Sequence, residues 1–180
     1  MDTAHTAAAT PMAQRIESIW KALESVTDPE IPVVTLRELG ILRSVQLGED
    51  GVPEVVITPT YSGCPAMEQM TDDVRAALQD AGQHARIITQ LAPAWTTDWI
   101  TPVAREKLRA FGIAPPAGAA HQNPSGTVQF SRRNRQPDTV ACPQCGSPQT
   151  TEVSPFGSTA CKAQYRCLAC MEPFDYFKPY

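Results

Sequence analysis

Apolar residues in the first two thirds of the chain recur at two distinct periods. Ile16, Ile19, Trp20 and Leu23 stand at i, i+3, i+4 and i+7, which predicts an amphipathic helix with one buried stripe. Thr10 is placed to cap that helix and Pro11 to occupy its first turn, where a missing N–H costs nothing. Thr27-Asp28-Pro29 breaks it. Ile41 to Leu47 and Val52 to Thr58 read as two strands around a Gly48-Glu49-Asp50-Gly51 turn, with Pro53 marking an edge or strand-entry position. A second helix runs from about Pro65 to Asp80 on a Met67, Met70, Val74, Leu78 stripe, and Gly82 ends it. Ala85 to Leu91 reads as a third strand. A third helix has two candidate caps, Thr97 with Asp98 or Thr101 before Pro102, and ends at Gly112. The order α-β-β-α-β-α over residues 11–114 predicts a small two-layer α/β domain, its helices covering one face of a mixed sheet.

The pattern then fades. Residues 1–10 are small and polar, and residues 115–137 begin Pro115-Pro116 and hold Gly118, Pro124 and Gly126 without periodicity. The first stretch is expected to be disordered and the second to be a linker. Residues 138–180 show three short strand-like runs, Thr150–Val153, Ala163–Arg166 and Phe174–Phe177. A segment that short does not bury a core of its own, so it needs another source of folding free energy.

Four cysteines supply it. Cys142-Pro-Gln-Cys145 and Cys167-Leu-Ala-Cys170 are two CxxC turns with 21 residues between them. Each turn aims two sulfurs at one point, and together they complete a tetrahedral four-sulfur site of the kind found in zinc ribbons. Thiolates grouped in this way suit Zn2+, or Fe, and metal binding would stabilise the small fold. The fold class expected is thus α/β (α+β), a two-layer domain over 11–114, a linker over 115–137 and a four-cysteine, zinc-ribbon-like domain over 138–180.

Composition narrows the function. Residues 1–114 carry 9 basic and 15 acidic side chains, net −6; residues 138–180 carry 3 and 4, net −1. The basic cluster Arg132, Arg133, Arg135 falls in the linker. A nucleic-acid reader would show a basic face on its folded part, so that class is disfavoured. The start of the chain has neither a basic n-region nor an apolar h-region, and no apolar run is long enough to span a bilayer. A cytoplasmic, reducing setting follows, with thiols rather than disulfides expected. His5, His84 and His121 stand apart and read as surface residues.

Two further motifs carry chemistry. In Thr58-Pro59-Thr60-Tyr61-Ser62-Gly63-Cys64-Pro65, Pro65 suits a first helical position, which would make Cys64 the N-cap and favour its thiolate. A small cysteine that merely packs is the alternative. Asp28-Pro29-Glu30 sets two carboxylates around a rigid proline, able to bind a metal, hold a partner's amide or cap the next turn; local evidence favours the cap or solvated turn. Cys161 lies outside both CxxC pairs. Its neighbours Ser158, Thr159 and Lys162 would favour the thiolate of a second functional thiol, and a packed ribbon residue is the alternative.

Asp28-Pro29-Glu30, the Leu39-Gly40-Ile41 step, the Thr58…Gly63-Cys64-Pro65 loop and the Pro93-Ala94-Trp95…Trp99 stretch occur in an order and spacing that resembles the metal–sulfur cluster biosynthesis domain family, the SufT-like group that helps install iron–sulfur clusters. With the ribbon and its Phe156-Gly157-Ser158-Thr159-Ala160-Cys161-Lys162-Ala163 segment, the whole chain resembles a family of phenylacetate-degradation accessory proteins encoded with the ring-1,2-phenylacetyl-CoA epoxidase. The resemblance implies an iron–sulfur or iron-site assembly factor with Cys64 as its functional thiol. The implied clients are the epoxidase reductase subunit with its [2Fe–2S] cluster or the di-iron oxygenase subunit. It also leaves open a structural subunit of the epoxidase assembly. An enzyme is not expected: there is no Ser/His/Asp or Cys/His order and no glycine-rich phosphate loop. A cluster needs about four thiolates. A transient iron–sulfur cluster on Cys64 would therefore need Cys161, a client cysteine, carboxylates such as Asp28 and Glu30, or a second copy of the chain in a homodimer.

Overall fold

The computed structural model describes residues 11–116 and 139–179. The Thr10 cap, the expected disorder of residues 1–10, most of the 115–137 linker with its arginines, His5 and His121 lie outside the described residues.

Helix α1 (Pro11–Leu23) buries Ile19 and Leu23, with Ile16 and Trp20 packed against the same core. Strands β1 (Leu42–Leu47) and β2 (Pro53–Ile57) pair antiparallel, and β3 (Arg86–Thr89) joins β2 in parallel, giving a mixed sheet of order β1-β2-β3. Pro53 opens the central strand, so the entry reading of that proline holds. The turn between β1 and β2 closes with Gly51 at φ +75°, and Arg86 reaches across to Asp50 and Glu54 at 2.6 Å each. Of the two candidate caps before the third helix, Thr101 is used and Thr97 is not. Thr96, one residue ahead of the expected Thr97, accepts from Asp98 N–H and caps a 3-10 turn (Thr97–Trp99), while Thr101 accepts from Ala104 N–H and caps helix α3 (Pro102–Ala110).

Helix α2 (Met67–Asp80) begins two residues later than its periodicity predicts. Cys64 N–H donates to Tyr61 O at 3.2 Å, so Cys64 closes a turn before the helix, and Ala66 takes the N-cap position without a side-chain cap. The expectation that Cys64 caps the helix is therefore corrected. Of the predicted stripe, Met70, Val74 and Leu78 are buried, and Met67 is half-buried against the same core.

The ribbon strands are β5 (Thr150–Ser154), β6 (Lys162–Cys167) and β7 (Pro173–Phe177), antiparallel in sequence order. A two-residue strand β4 (Ile113–Ala114), directly after α3, adds to them in parallel with β7, pairing Ile113 with Asp175 and Ala114 with Tyr176. The second sheet is therefore β4-β7-β6-β5, built from both halves of the chain. Phe177 is 2% exposed and belongs to the core of the first half, its ring 5.9 Å from that of Trp95. The ribbon is thus seated against the α/β domain by backbone pairing and by shared core. Gly40, at φ +70°, shows how tightly that core is closed: a Cβ there would lie 2.5 Å from the Trp99 Cβ, and Trp95 Nε1–H donates to Leu39 O at 3.0 Å.

Candidate functional site

The ribbon turns bring Cys142, Cys145, Cys167 and Cys170 together with all four sulfurs within 4.8 Å of one another. Cys142 Sγ lies 3.8 Å from Cys170 Sγ, and Cys145 Sγ 3.6 Å from Cys167 Sγ. A tetrahedron with metal–sulfur bonds of ~2.3 Å has edges of about 3.8 Å. The donor set therefore fits one tetrahedral metal ion. Cys170 N–H points at Cys167 Sγ from 3.5 Å and Ala169 N–H from 3.4 Å, and these donors pull the Cys167 thiol down to about 6, ready to ligate as thiolate.

The second cluster lies where the two halves meet. Cys64, from the loop between β2 and α2, and Cys161, from the turn between β5 and β6, line one pocket together with Asp28 and Glu30. Its free space is about 20 Å³, room for one water-sized body. These four residues, which the family resemblance also groups, are far apart in the chain, and the β4–β7 pair and Phe177 join the halves that carry them.

Each member has a defined environment. Asp28 is 8% exposed, and its Oδ1 accepts from Glu30 N–H and Ile31 N–H at 2.9 Å each. It therefore caps the turn and also faces the pocket. Burial raises its pKa and the nearby Glu30 adds to the rise, with the two N–H donors and Lys162 opposing. Glu30 sits 3.8 Å from the Lys162 ammonium, which also reaches Asp175 at 3.6 Å. Lys162 is 4% exposed and bridges the Asp-Pro-Glu loop to the ribbon. Both thiols are half-buried. Burial pushes Cys64 up; Ala66 N–H offsets part of this, and Cys161, Asp28 and Glu30 add to it. Burial likewise pushes Cys161 up, against the Thr159 hydroxyl, 3.0 Å from its sulfur, and the Lys162 charge. The expectation that a helix terminus and a lysine would favour the two thiolates is corrected: desolvation and neighbouring acids win.

Cys64 also lines an open groove of about 750 Å³, formed with Gly63, Met67, Arg75, Thr89 and Leu91. Its sulfur thus belongs to a residue shared by a closed pocket and an open surface. Tyr61, which the sequence does not single out, lies at the junction: burial raises its pKa, the charges of Cys64, Cys161 and Glu30 add to the rise, and the Ala160 backbone opposes it. An aromatic three residues before the Cys64-Pro65 step is its one signal. His84 is not among the residues of either cluster. No helix among the described residues is long and apolar enough to cross a membrane.

The family model of the PaaD zinc beta ribbon domain matches residues 127–178, and that of an iron–sulfur cluster assembly protein matches residues 16–86. Over 172 residues the chain is 49% identical to a protein of Escherichia coli (strain K12) described as a putative subunit of 1,2-phenylacetyl-CoA epoxidase, covering 94% of this chain and 96% of that protein. The chain belongs to the PaaD family. This chain is also 34% identical over 91 residues to the Fe-S protein maturation auxiliary factor YitW of Bacillus subtilis (strain 168), covering 49% of this chain and 88% of that protein. It is 33% identical over 97 residues to an Fe-S protein maturation auxiliary factor of Porphyromonas gingivalis (strain ATCC BAA-308 / W83), covering 53% of this chain and 91% of that protein. Each of those two matches spans about half of this chain and most of the relative.

Proposed function

We propose that this PaaD-family chain is a cytoplasmic maturation factor of the phenylacetyl-CoA epoxidase system, passing iron or an iron–sulfur cluster to a client subunit through Cys64. The observation that carries this reading is the position of Cys64 between an acid-lined pocket and an open groove. A thiol so placed can hold cargo on the sheltered side and meet a client's ligands on the open side. Hand-off is then ligand exchange, the client's thiolates or carboxylates replacing those of the carrier. The names of the α/β relatives, Fe-S protein maturation auxiliary factors, support the cargo assignment. The reductase subunit with its [2Fe–2S] cluster and the di-iron oxygenase subunit are the clients that fit this cargo. The four-sulfur ribbon site holds zinc in this reading and serves folding, since structural zinc sites close all four positions with protein ligands.

The Escherichia coli relative is described as part of the epoxidase itself, which favours a second reading, a non-catalytic structural subunit of that assembly. The two separate on one experiment. Cys64→Ser should leave the fold and the ribbon metal intact, while client iron content and growth on phenylacetate fall. Normal client iron and normal growth with Cys64→Ser would overturn the maturation reading. A stoichiometric, stable complex that tolerates the substitution would establish the structural one.

A further inference from the structure

Strand β3 ends the first sheet, and its outer side is open. In the parallel pair with β2, Gln90 N–H donates to Ile57 O at 2.9 Å, and Thr89 stands opposite Ile57. That register turns the main-chain groups of Arg86, Ile88 and Gln90 toward β2. The N–H and C=O of Ile87 and Thr89 therefore point away from the sheet. Among the described residues no hydrogen bond reaches these four groups. Edge strands are commonly blunted by a lysine, a proline or a bulge, because open main-chain groups recruit another strand. The opposite edge, β1, is so treated: its register shifts between Leu42 and Ser44, and the Arg43 guanidinium between them sits over the Trp99 ring, 3.3 Å from its centre. Strand β3 has no such device. Its one charge, Arg86, is held by Asp50 and Glu54 of its own chain. Ile88 is 38% exposed, and Leu91 just beyond the strand is 56% exposed.

We propose that the open edge of β3 is a homodimer interface, two copies pairing antiparallel about a twofold axis at Ile88 so that their three-stranded sheets join into one. The edge is complementary to itself in that register. Ile87 meets Thr89 of the partner subunit, and the two exchange both main-chain hydrogen bonds; the twofold repeats the pair. All four open groups of each copy are then satisfied. Ile88 faces its own symmetry mate as the close, non-hydrogen-bonded pair, so each exposed isoleucine is covered by the other. Arg86 falls opposite Gln90, and no like charges meet. An axis at Ile87 or at Thr89 would instead set Ile88 against Arg86 or Gln90. A second copy is the occupant that uses each open group once and covers Ile88 with an apolar side chain. Thr89 and Leu91 also line the Cys64 groove, so the seam runs beside that groove and a client would meet a surface made by two copies. The pairing does not depend on what Cys64 carries.

The test uses the full-length protein with zinc in the ribbon. Analytical ultracentrifugation over a wide concentration range should give the mass of two chains at the high end. Ile88→Lys sets two ammonium groups against each other, and Thr89→Pro removes an outward N–H. Each should give the mass of one chain, with the far-ultraviolet circular dichroism of the wild type, since neither removes a bond of the β2–β3 pair. Ile88→Cys reads the register without weakening the edge. The Cα atoms of a non-hydrogen-bonded antiparallel pair lie about 4.5 Å apart, within reach of a disulfide. Under mild oxidation with diamide this variant should run as a cross-linked dimer on a non-reducing gel, whereas the wild type and Leu47→Cys, on the β1 edge, should not. A wild type that stays at one chain at every concentration overturns the proposal. Ile87 and Thr89 amides protected from hydrogen exchange in such a one-chain protein would give the edge to another part of the chain. A dimer that survives both Ile88→Lys and Thr89→Pro, or an Ile88→Cys that stays uncross-linked, places the contact elsewhere and overturns it as well.

Discussion

At the scale of single residues, the pocket thiols are held protonated until something replaces the proton. Burial raises Cys64, and the acids facing it, Cys161, Asp28 and Glu30, act in the same direction. The sign of the pH dependence follows. A raised pKa means little thiolate at neutral pH, so alkylation of metal-free Cys64 should be slow at pH 7 and climb about tenfold per pH unit. The climb should continue past pH ~8.5, where an unperturbed thiol is already levelling off. Peptide mass spectrometry after timed iodoacetamide labelling, native against denatured, reads this for Cys64. A native rate that levels below pH ~8 would mean a stabilised thiolate and contradict the environment described. Cys167 is the opposite case, pulled down to about 6 by the N–H of Cys170 and Ala169. The contrast separates a resident-metal sulfur from a pocket sulfur within one chain.

At the scale of elements, Phe177 is the main apolar link between the halves. It ends β7, is 2% exposed and packs on Trp95 in the core of the α/β half. Phe177→Ala should cost about 3–5 kcal/mol. Because Phe177 belongs to the α/β core and not to the cluster that holds Cys142 and Cys167, metal content should stay at wild-type level while the denaturation midpoint of the α/β half falls. An unchanged midpoint would mean that the ribbon does not stabilise its neighbour. This coupling marks the limit of what is legible in the sequence. Helices α1 and α2, strands β1 to β3 and both turns before α3 come from local periods and caps, and they appear within one or two residues of expectation. The CxxC spacing likewise declares the four-sulfur site. Strand β4 is not legible: two residues carry no period, and its partners, Asp175 and Tyr176, lie in the other half of the chain. The start of α2 misleads because Pro65 looks like a first helical residue, whereas the Cys64 N–H is taken by Tyr61 in a separate turn.

At the scale of the whole molecule, the arrangement ties the state of the ribbon metal to the shape of the Cys64 pocket. Residues 139–179 fold around a four-sulfur site, and a segment of that size depends on its metal for stability. From the same segment come Cys161, the Lys162 bridge to Glu30 and the Phe177 anchor. Removing the metal should therefore do more than melt the ribbon. Lys162 would leave Glu30, Cys161 would leave the pocket, and the wall between pocket and solvent would open. Cys64 alkylation should then speed up on chelation, because burial is the largest force holding its thiol protonated. The measurement is the Cys64 labelling rate at one pH before and after stripping with a strong chelator, then after adding zinc back. Acceleration that zinc reverses supports one coupled body. A labelling rate indifferent to the ribbon metal would mean that the pocket stands without the ribbon, and Cys161 would then have no structural claim on the chemistry of Cys64.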